Sequence, residues 1–205
     1  MNYTAQYCAE AVDILQQIDQ RAVDRIVEVL LTIRENEGRL FFLGVGGGAG
    51  HASHAVNDFR KIAGMECYAP TDNVSELTAR INDDGWETAY CNWLRGSKLR
   101  REDGIFVFSV GGGNAERKIS VNLIAALEYA RVVGSKIVGI VGRDGGFTAK
   151  VSDACVIVPV VNPDTVTAHT ESFQALIWHL LVSHPGLRAS EMKWESVTPV
   201  AVGQV

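Results

Sequence analysis

The chain lacks the features that would place it in a membrane or on nucleic acid. Among its 205 residues there is no apolar run of the roughly 20 residues that a membrane-spanning helix needs. The 19 basic residues are outnumbered by 24 acidic ones and form no block, which argues against general binding to nucleic acid or anionic lipid. The N-terminus has neither the basic stretch nor the apolar core of a signal peptide, so we expect a cytoplasmic protein.

Cysteine is also scarce, and its spacing does not indicate a metal site or a disulfide. The four cysteines are Cys8, Cys67, Cys91 and Cys155. They are widely separated and form no C-x-x-C pair, which argues against a disulfide framework or a thiolate zinc site. We interpret all four as ordinary thiols in a reducing compartment.

Short apolar segments alternate with segments of helical periodicity along most of the chain. The predicted strands cover residues 40–43, 65–68, 105–110, 136–141 and 155–160. The predicted helices cover residues 1–36, 51–62, 86–95, 115–132 and 167–182. This alternation predicts a single α/β domain with a parallel sheet and helices on both faces. The first helix is long for a domain of this size, and we expect it to pack against a second subunit.

Glycine is abundant, and two of its clusters follow predicted strands. Residues 44–50 read G-V-G-G-G-A-G, and residues 111–114 read G-G-G-N. Glycine lets the backbone approach a ligand closely, and the free N–H groups at a helix start favour an anion. Because ligands of parallel sheets bind at the carboxyl ends of the strands, the two turns together predict a small anionic ligand.

The first turn also fits a dinucleotide-binding pattern, an alternative that the rest of the chain does not support. Residues 44–49 match G-x-G-x-x-A, and Glu66 lies about twenty residues further on, as in that fingerprint. However, the chain is too short for a dinucleotide domain plus a substrate domain, and the second turn would have no role. No Lys-Ser/Thr follows the glycines, so a Walker A motif is absent.

Histidines and carboxylates recur on two of the predicted helices. His54 and Asp58 are four residues apart and share one helical face, and Glu171 and His179 are two turns apart on the last helix. Two histidines and two carboxylates are an ordinary ligand set for a zinc-like ion. Spacing alone leaves other interpretations open. In one of them the four residues line a polar pocket without metal. In the others His54 and Asp58 form a surface ion pair, His179 is a core histidine, and Glu171 is a charge at a helix start. For His51, His169 and His184 we favour structural roles.

Taken in order, these segments resemble a known family, the sugar isomerase (SIS) domains, and within it the phosphoheptose isomerases. Those enzymes interconvert sedoheptulose 7-phosphate and the corresponding aldoheptose 7-phosphate. The resemblance covers about residues 1–185 and includes both glycine turns, residues 82–85 (N-D-D-G) and residues 142–146 (G-R-D-G-G). It implies a three-layer αβα sandwich with a five-stranded parallel, flavodoxin-like sheet plus a long N-terminal helix. On this basis the single SIS domain divides into an oligomerisation helix (1–37), an α/β core (38–185) and a tail (186–205).

The resemblance also implies roles for individual residues. Metal-binding relatives hold zinc with His and Glu on one helix and Gln and His on the last, which here become His54, Asp58, Glu171 and His179. Proton transfer through an enediol would use Glu171 or Asp58 as base and His179 as acid or relay. The implied substrate-binding residues are Gly46, Gly47, Gly48, Asp83, Ser109, Gly111, Gly112, Gly113 and Asn114. The family further implies a cytoplasmic homotetramer with sites between subunits.

Both turns depart from the family pattern. The usual G-N-G-G-S is G-V-G-G-G at residues 44–48, and the usual S-T-S-G-N-S is S-V-G-G-G-N at residues 109–114. Most phosphate-binding hydroxyls are therefore missing, and Ala168 stands near the place of an acidic family residue. These losses favour a different sugar substrate or a second interpretation, a non-catalytic SIS protein that senses a sugar phosphate or binds a partner protein.

Overall fold

The computed structural model describes residues 2–197, and over these residues the chain forms a five-stranded, all-parallel sheet with helices on both faces. The strands are β1 Leu40–Gly44, β2 Cys67–Tyr68, β3 Gly104–Ser109, β4 Lys136–Val141 and β5 Ala154–Ile157. The helices are α1 Tyr3–Gln17, α2 Gln20–Glu35, α3 Gly47–Lys61, α4 Val74–Asp84, α5 Ala89–Gly96, α6 Val121–Val133, α7 Gly146–Val151, α8 Val166–Ser183 and α9 Lys193–Val197. A single 3-10 turn, Pro70–Asp72, precedes α4.

The sheet separates two hydrophobic cores, as the predicted three-layer sandwich requires. One core packs α2, α3 and α8 against one face of the sheet, and the other packs α5 and α6 against the opposite face. Neighbouring residues of β1 point to different cores: Phe42 to the first and Phe41 to the second. Because both faces are covered, β1 and β3 are continuous apolar runs without polar alternation.

The N-terminal prediction needs correction, because the structure has two helices where the periodicity indicated one. The chain breaks at Ile18, and the Asp19 side chain accepts a hydrogen bond from the Arg21 N–H to start α2. The apolar period continues across the break because Ile14 and Ile26 enter the same core. The predicted tail contains a short helix, α9, and its residues 198–205 are outside the described part. The division into three segments stays a prediction.

The prediction for the second glycine turn also needs correction, because no helix follows this turn directly. Helix α6 begins at Val121, six residues later than expected. Residues 114–119 instead close a small loop, in which Asn114 and Ile119 form an antiparallel bridge and the Asn114 side chain accepts from the Arg117 N–H. Residues 115–118 (A-E-R-K) are good helix formers, which is why the sequence predicts a helix there, but the buried apolar residues of α6 begin only beyond residue 121.

The strand order β2-β1-β3-β4-β5 places β1 and β3, the two strands that end in glycine turns, side by side. The chain leaves β1 in one direction to form β2 and then crosses back to form β3. Such a reversal opens a crevice at the carboxyl ends of the strands, where open α/β sheets bind ligands. Both turns therefore lie at this crevice, as the sequence predicts.

Candidate active site

The first turn needs glycine for two different physical reasons. Gly46 has φ of 60°, in the left-handed region, immediately before α3 begins at Gly47. At Gly48 a Cβ atom would stand 2.5 Å from the Phe108 carbonyl oxygen of β3, so no side chain fits there. The buried Tyr90 hydroxyl donates a 2.6 Å hydrogen bond to the Gly44 carbonyl and fixes the end of β1.

The amino end of α3 faces a carboxylate from the last helix. The Glu171 side chain of α8 lies so close to Gly47 that a Cβ atom at Gly47 would overlap its carboxylate. A negative charge is favourable at a helix N-terminus, where free N–H groups and the helix dipole converge. The anion-binding position that the sequence predicts at Gly46–Gly48 is therefore next to a carboxylate of the protein itself.

Further along the same two helices, three predicted metal ligands come together. One ligand atom from each of His54, Asp58 and His179 lies within 4.8 Å of the others. Both imidazole Nε2 atoms are 3.8 Å from the Asp58 Oδ2 atom. The side chains of His54 and His179 are 58% and 53% exposed, whereas that of Asp58 is 14% exposed.

The donor atoms of this cluster fit a divalent ion. The His179 Nδ1 atom is 2.7 Å from the Ala175 carbonyl oxygen, which can only accept, so Nδ1 carries the proton and Nε2 is left to bind. A separation of 3.8 Å is too long for a hydrogen bond. It is close to the roughly 3.3 Å between ligand atoms around a tetrahedral ion with bonds of about 2.0 Å.

Glu171 is not a member of this group within the described residues. It lies two turns before His179, about 12 Å along the axis of α8, with its carboxylate at Gly47. The structure thus brings three of the four predicted ligands together and holds the fourth at the glycine turn. The complete four-residue ligand set stays a prediction.

Between Glu171 and the cluster lies His51, for which the sequence favoured only a structural role. His51 and Glu171 line one cavity of about 470 Å³, together with Tyr7 of α1. Burial lowers the pKa of the His51 imidazole, an effect that the neighbouring Glu171 charge partly opposes. The signal was present in the sequence: His51, His54 and Asp58 follow at steps of three and four residues on α3.

The second turn borders a further cavity of about 530 Å³, lined in part by Val110, Arg143, Thr165 and Glu171. Most predicted binding residues here hold the turn itself. The Ser109 hydroxyl accepts from the Gly112 N–H, and the carbonyls of Gly112 and Gly113 accept from the backbone of α7. Asn114 closes the following loop. Within residues 2–197, the N–H groups of Gly111 and Gly113 make no hydrogen bond.

Among the described residues, Asp83, His169 and His184 line neither of these two cavities. Asp83 is exposed on α4 and accepts a hydrogen bond from Asn82. His169 is buried, 2.9 Å from the Glu10 carboxylate of α1, and stacked on Tyr7. His184 accepts a hydrogen bond from the Gly186 N–H just beyond α8.

Comparison with known proteins assigns the family. The chain is 30% identical to a phosphoheptose isomerase of Rhodospirillum rubrum over 149 residues, which cover 70% of this chain and 73% of the relative. The chain belongs to the phosphoheptose isomerase family. The prediction made from the ordered motifs is therefore confirmed, although no protein-family model matches the chain.

Two further proteins are similar to this member of the phosphoheptose isomerase family. The structure of phosphoheptose isomerase GmhA from Neisseria gonorrhoeae is similar with a TM-score of 0.75 and 26% identity, over 87% of this chain and 94% of that one. The lincomycin biosynthesis protein LmbN of Streptomyces lincolnensis is 30% identical over 72% of this chain. The chain spans only 56% of the length of LmbN.

Proposed function

We propose that the protein is an aldose–ketose isomerase that converts sedoheptulose 7-phosphate into D-glycero-D-manno-heptose 7-phosphate. The observation that carries this proposal is the convergence of α3 and α8, which brings Glu171, His51 and the cluster of His54, Asp58 and His179 to one side of the crevice. Aldose–ketose exchange needs a base beside the sugar carbonyl and stabilisation of the oxyanion that develops. The relatives named phosphoheptose isomerase support this substrate class.

Glu171 suits the role of base better than Asp58. Glu171 lines both cavities, whereas the Asp58 side chain is largely buried between two imidazoles. We assign to Glu171 the removal of the proton from the carbon beside the carbonyl, which yields an enediolate. The proton must then be returned to the neighbouring carbon, which the protonated Glu171 can do. His179 was the other candidate for this acid or relay, but its Nε2 atom carries no proton and is the atom that would bind the metal, so in this proposal His179 acts as a ligand.

The cofactor in this proposal is a divalent metal, for which zinc is our choice. His54, Asp58 and His179 would hold it, because their imidazole and carboxylate donors are ordinary zinc ligands. When bound, the ion would polarise the sugar carbonyl and favour negative charge on its oxygen. The Ala175 carbonyl contributes by fixing the His179 ring with Nε2 directed at Asp58.

We also propose a homotetramer in the cytoplasm. In support of self-association, Leu15, Leu176 and Leu180 are 52%, 42% and 42% exposed and line one groove between α1 and α8. In support of a reducing compartment, the four cysteines are all free. No helix within the described residues is long and apolar enough to cross a bilayer.

The proposal is tested by metal analysis of the purified protein together with an isomerisation assay on sedoheptulose 7-phosphate. We expect about one divalent ion per chain, zinc by preference, and turnover. His179→Gln should lose the metal, whereas His184→Gln, at the end of the same helix, should keep it. Glu171→Gln should keep the metal and lose turnover by at least about 100-fold.

The outcomes separate the possible failures. If Glu171→Gln also loses the metal, Glu171 is a ligand and the base must be sought elsewhere. Bound metal without turnover on this substrate would direct the search to other sugars. Sugar-phosphate binding with neither metal nor turnover would favour the non-catalytic sensor, which the loss of hydroxyls from both turns supports.

A further inference from the structure

Arg143 is an exposed arginine at the carboxyl end of the sheet. It lies between β4 and α7 with φ of 54°, a left-handed conformation that arginine seldom adopts. Within residues 2–197, its guanidinium makes neither a hydrogen bond nor an ion pair. The adjacent Asp144 accepts from the Gly146 N–H instead. The backbone therefore holds a free guanidinium at the carboxyl end of the sheet.

The Arg143 side chain extends over the second glycine turn. A Cβ atom on Gly111 would be 3.7 Å from the Arg143 Cδ atom, an ordinary van der Waals contact. At this turn the hydroxyls of the usual family pattern are replaced by Val110, Gly111 and Asn114. One hydroxyl remains, on Ser109; it accepts from the Gly112 N–H, and its own O–H is left to donate.

The second turn also lacks a helix that follows it directly, and the N–H groups of α7 that meet the turn are taken up by the carbonyls of Gly112 and Gly113. Because α6 begins only at Val121, no helix dipole is directed at the turn from its own strand-to-helix connection. The turn itself offers the unused N–H group of Gly111; the N–H group of Gly113 is also without a hydrogen bond, but Gly113 is buried. A positive charge is needed beside the Gly111 N–H group if an anion is to bind here with useful affinity.

We propose that Arg143 is the residue that binds the anionic, phosphate end of the substrate, over Gly111, in place of the missing hydroxyls. This assignment rests on the proposed function and deepens it. A guanidinium suits the role because its N–H groups form two parallel, charge-assisted hydrogen bonds to a phosphate. It is a binding residue and takes no part in the proton transfer.

The charges in the shared cavity also determine the direction in which the substrate binds. Arg143 and Glu171 line the same 530 Å³ cavity, and the Glu171 carboxylate is at Gly47, by the first turn. Glu171 and the exposed Asp164 repel a phosphate, whereas Arg143 attracts it. The phosphate is therefore placed at the second turn, and the carbonyl end of the sugar is directed towards Glu171.

The test compares Arg143→Asn and Arg143→Lys with Arg131→Gln, a control at an exposed arginine of α6. Asparagine tolerates the left-handed backbone, so the fold should be retained. We expect Arg143→Asn to raise KM for sedoheptulose 7-phosphate by about 10- to 100-fold, with kcat within about threefold of wild type. Arg143→Lys should retain part of the affinity, because it keeps the charge but loses the paired hydrogen bonds. Arg131→Gln should change neither constant.

A second measurement does not depend on turnover. Inorganic phosphate should raise the Tm of the wild-type protein and of Arg131→Gln, and should have a much smaller effect on Arg143→Asn at equal metal content. Adding Gly111→Ser to Arg143→Asn should restore part of the phosphate response, because Gly111 has room for a side chain. This readout keeps the assignment testable even if the protein does not isomerise this sugar.

The two proposals can fail separately. An unchanged KM together with an unchanged phosphate response in Arg143→Asn would overturn the role of Arg143 and leave the isomerase intact. A phosphate response that depends on Arg143, without turnover on any phosphosugar, would overturn the isomerase and keep the anion site. Loss of kcat with an unchanged KM would show that Arg143 acts on the chemical step and would contradict its assignment as a binding residue.

Discussion

The contact between Glu171 and Gly47 is the residue-scale feature on which most of the chemistry depends. Glycine at position 47 lets a carboxylate from α8 reach the amino end of α3, where its negative charge is favourable. Three residues later Gly50 occupies the same helix, but a Cβ atom there would meet nothing within 4 Å. Gly50 also lines the 470 Å³ cavity, but a methyl group there would not reach Glu171, so the two glycines form a matched pair for this contact.

We expect Gly47→Ala to displace Glu171 and to reduce kcat for isomerisation by at least about tenfold, since misplacement of a catalytic group by an ångström is costly. Gly50→Ala should leave kcat unchanged and should stabilise the protein by about 0.5–1 kcal/mol, because alanine favours a helix interior. Steady-state kinetics and urea unfolding of both variants provide the measurement. Equal activity of the two variants would contradict the role given to the contact.

The sequence predicted which residue types form the site better than it predicted where each would lie. Spacing grouped His54 with Asp58 on one helix, and Glu171 with His179 on another. The structure joins His54, Asp58 and His179. Spacing within one helix cannot say that Glu171 points to Gly47, because that depends on how α8 packs on α3. The same limitation hid His51, whose role follows from the cavity it shares with Glu171.

At the scale of elements, α1 is attached to the start of α8 through one carboxylate. Glu10 accepts hydrogen bonds from Asn162, Thr165 and His169, at 2.6, 2.9 and 2.9 Å. Bonds from Asn162, Gln6 and His169, in that order, lower the pKa of Glu10 from 4.5 to about 2. The attachment therefore depends on an ionised carboxylate.

This attachment predicts how stability changes with pH. Because the pKa of Glu10 is lower in the folded protein, its contribution is complete above about pH 4.5 and is lost as the pH falls towards 2. We expect Glu10→Gln to lower the Tm at pH 7 and to make the Tm less sensitive to pH between 5 and 3. Glu28→Gln, at an exposed glutamate of α2, is the control. A parallel pH dependence of Glu10→Gln and wild type would refute the attachment.

The elements also indicate what a single sequence can resolve. Strands β1, β3 and β4 were predicted within one or two residues, because each is an apolar run bounded by glycine or a charge. The sequence did not predict the break between α1 and α2 or the late start of α6, because both depend on local capping and turn geometry. At Ser120, the residue before α6, φ is 52°, which periodicity cannot reveal.

A second carboxylate joins the beginnings of β1 and β3 and provides a test of stability. Asp103 is fully buried and accepts hydrogen bonds from the Arg39 backbone, the Arg39 side chain and the Arg100 N–H. Burial alone would raise the pKa of Asp103, but the hydrogen bonds from Arg39 and Arg100 hold it below its ordinary value. The folded protein thus keeps a charged pair at the edge of the core.

Asp103→Ala should cost about 3 kcal/mol in the free energy of unfolding, because it leaves the half-buried Arg39 without its partner. The control is Glu76→Ala, which removes the more exposed ion pair with Arg80 on α4 and should cost no more than about 0.5 kcal/mol. Urea unfolding monitored by circular dichroism compares the two. A cost for Asp103→Ala no larger than that of the control would mean that the buried pair contributes nothing to stability.

At the scale of the whole molecule, the metal cluster and the exposed apolar side chains are on the same side. Leu176, His179 and Leu180 share one face of α8, and Leu15 of α1 lies beside the two leucines. This groove has a volume of about 250 Å³. A second copy of the chain that covers these leucines would also bury part of the exposed imidazole of His179.

Leu15→Lys tests this arrangement without touching any proposed ligand. We expect the variant to sediment as a smaller species than the wild type, because a charge in the groove opposes association. Val132→Lys, at an 86% exposed valine of α6, should sediment as the wild type does. Because association would shield His179, Leu15→Lys should also release its metal faster to a chelator. If Leu15→Lys keeps the mass of the wild type, the groove is not the subunit interface, and the exposure of His54 and His179 must then be part of how the substrate enters.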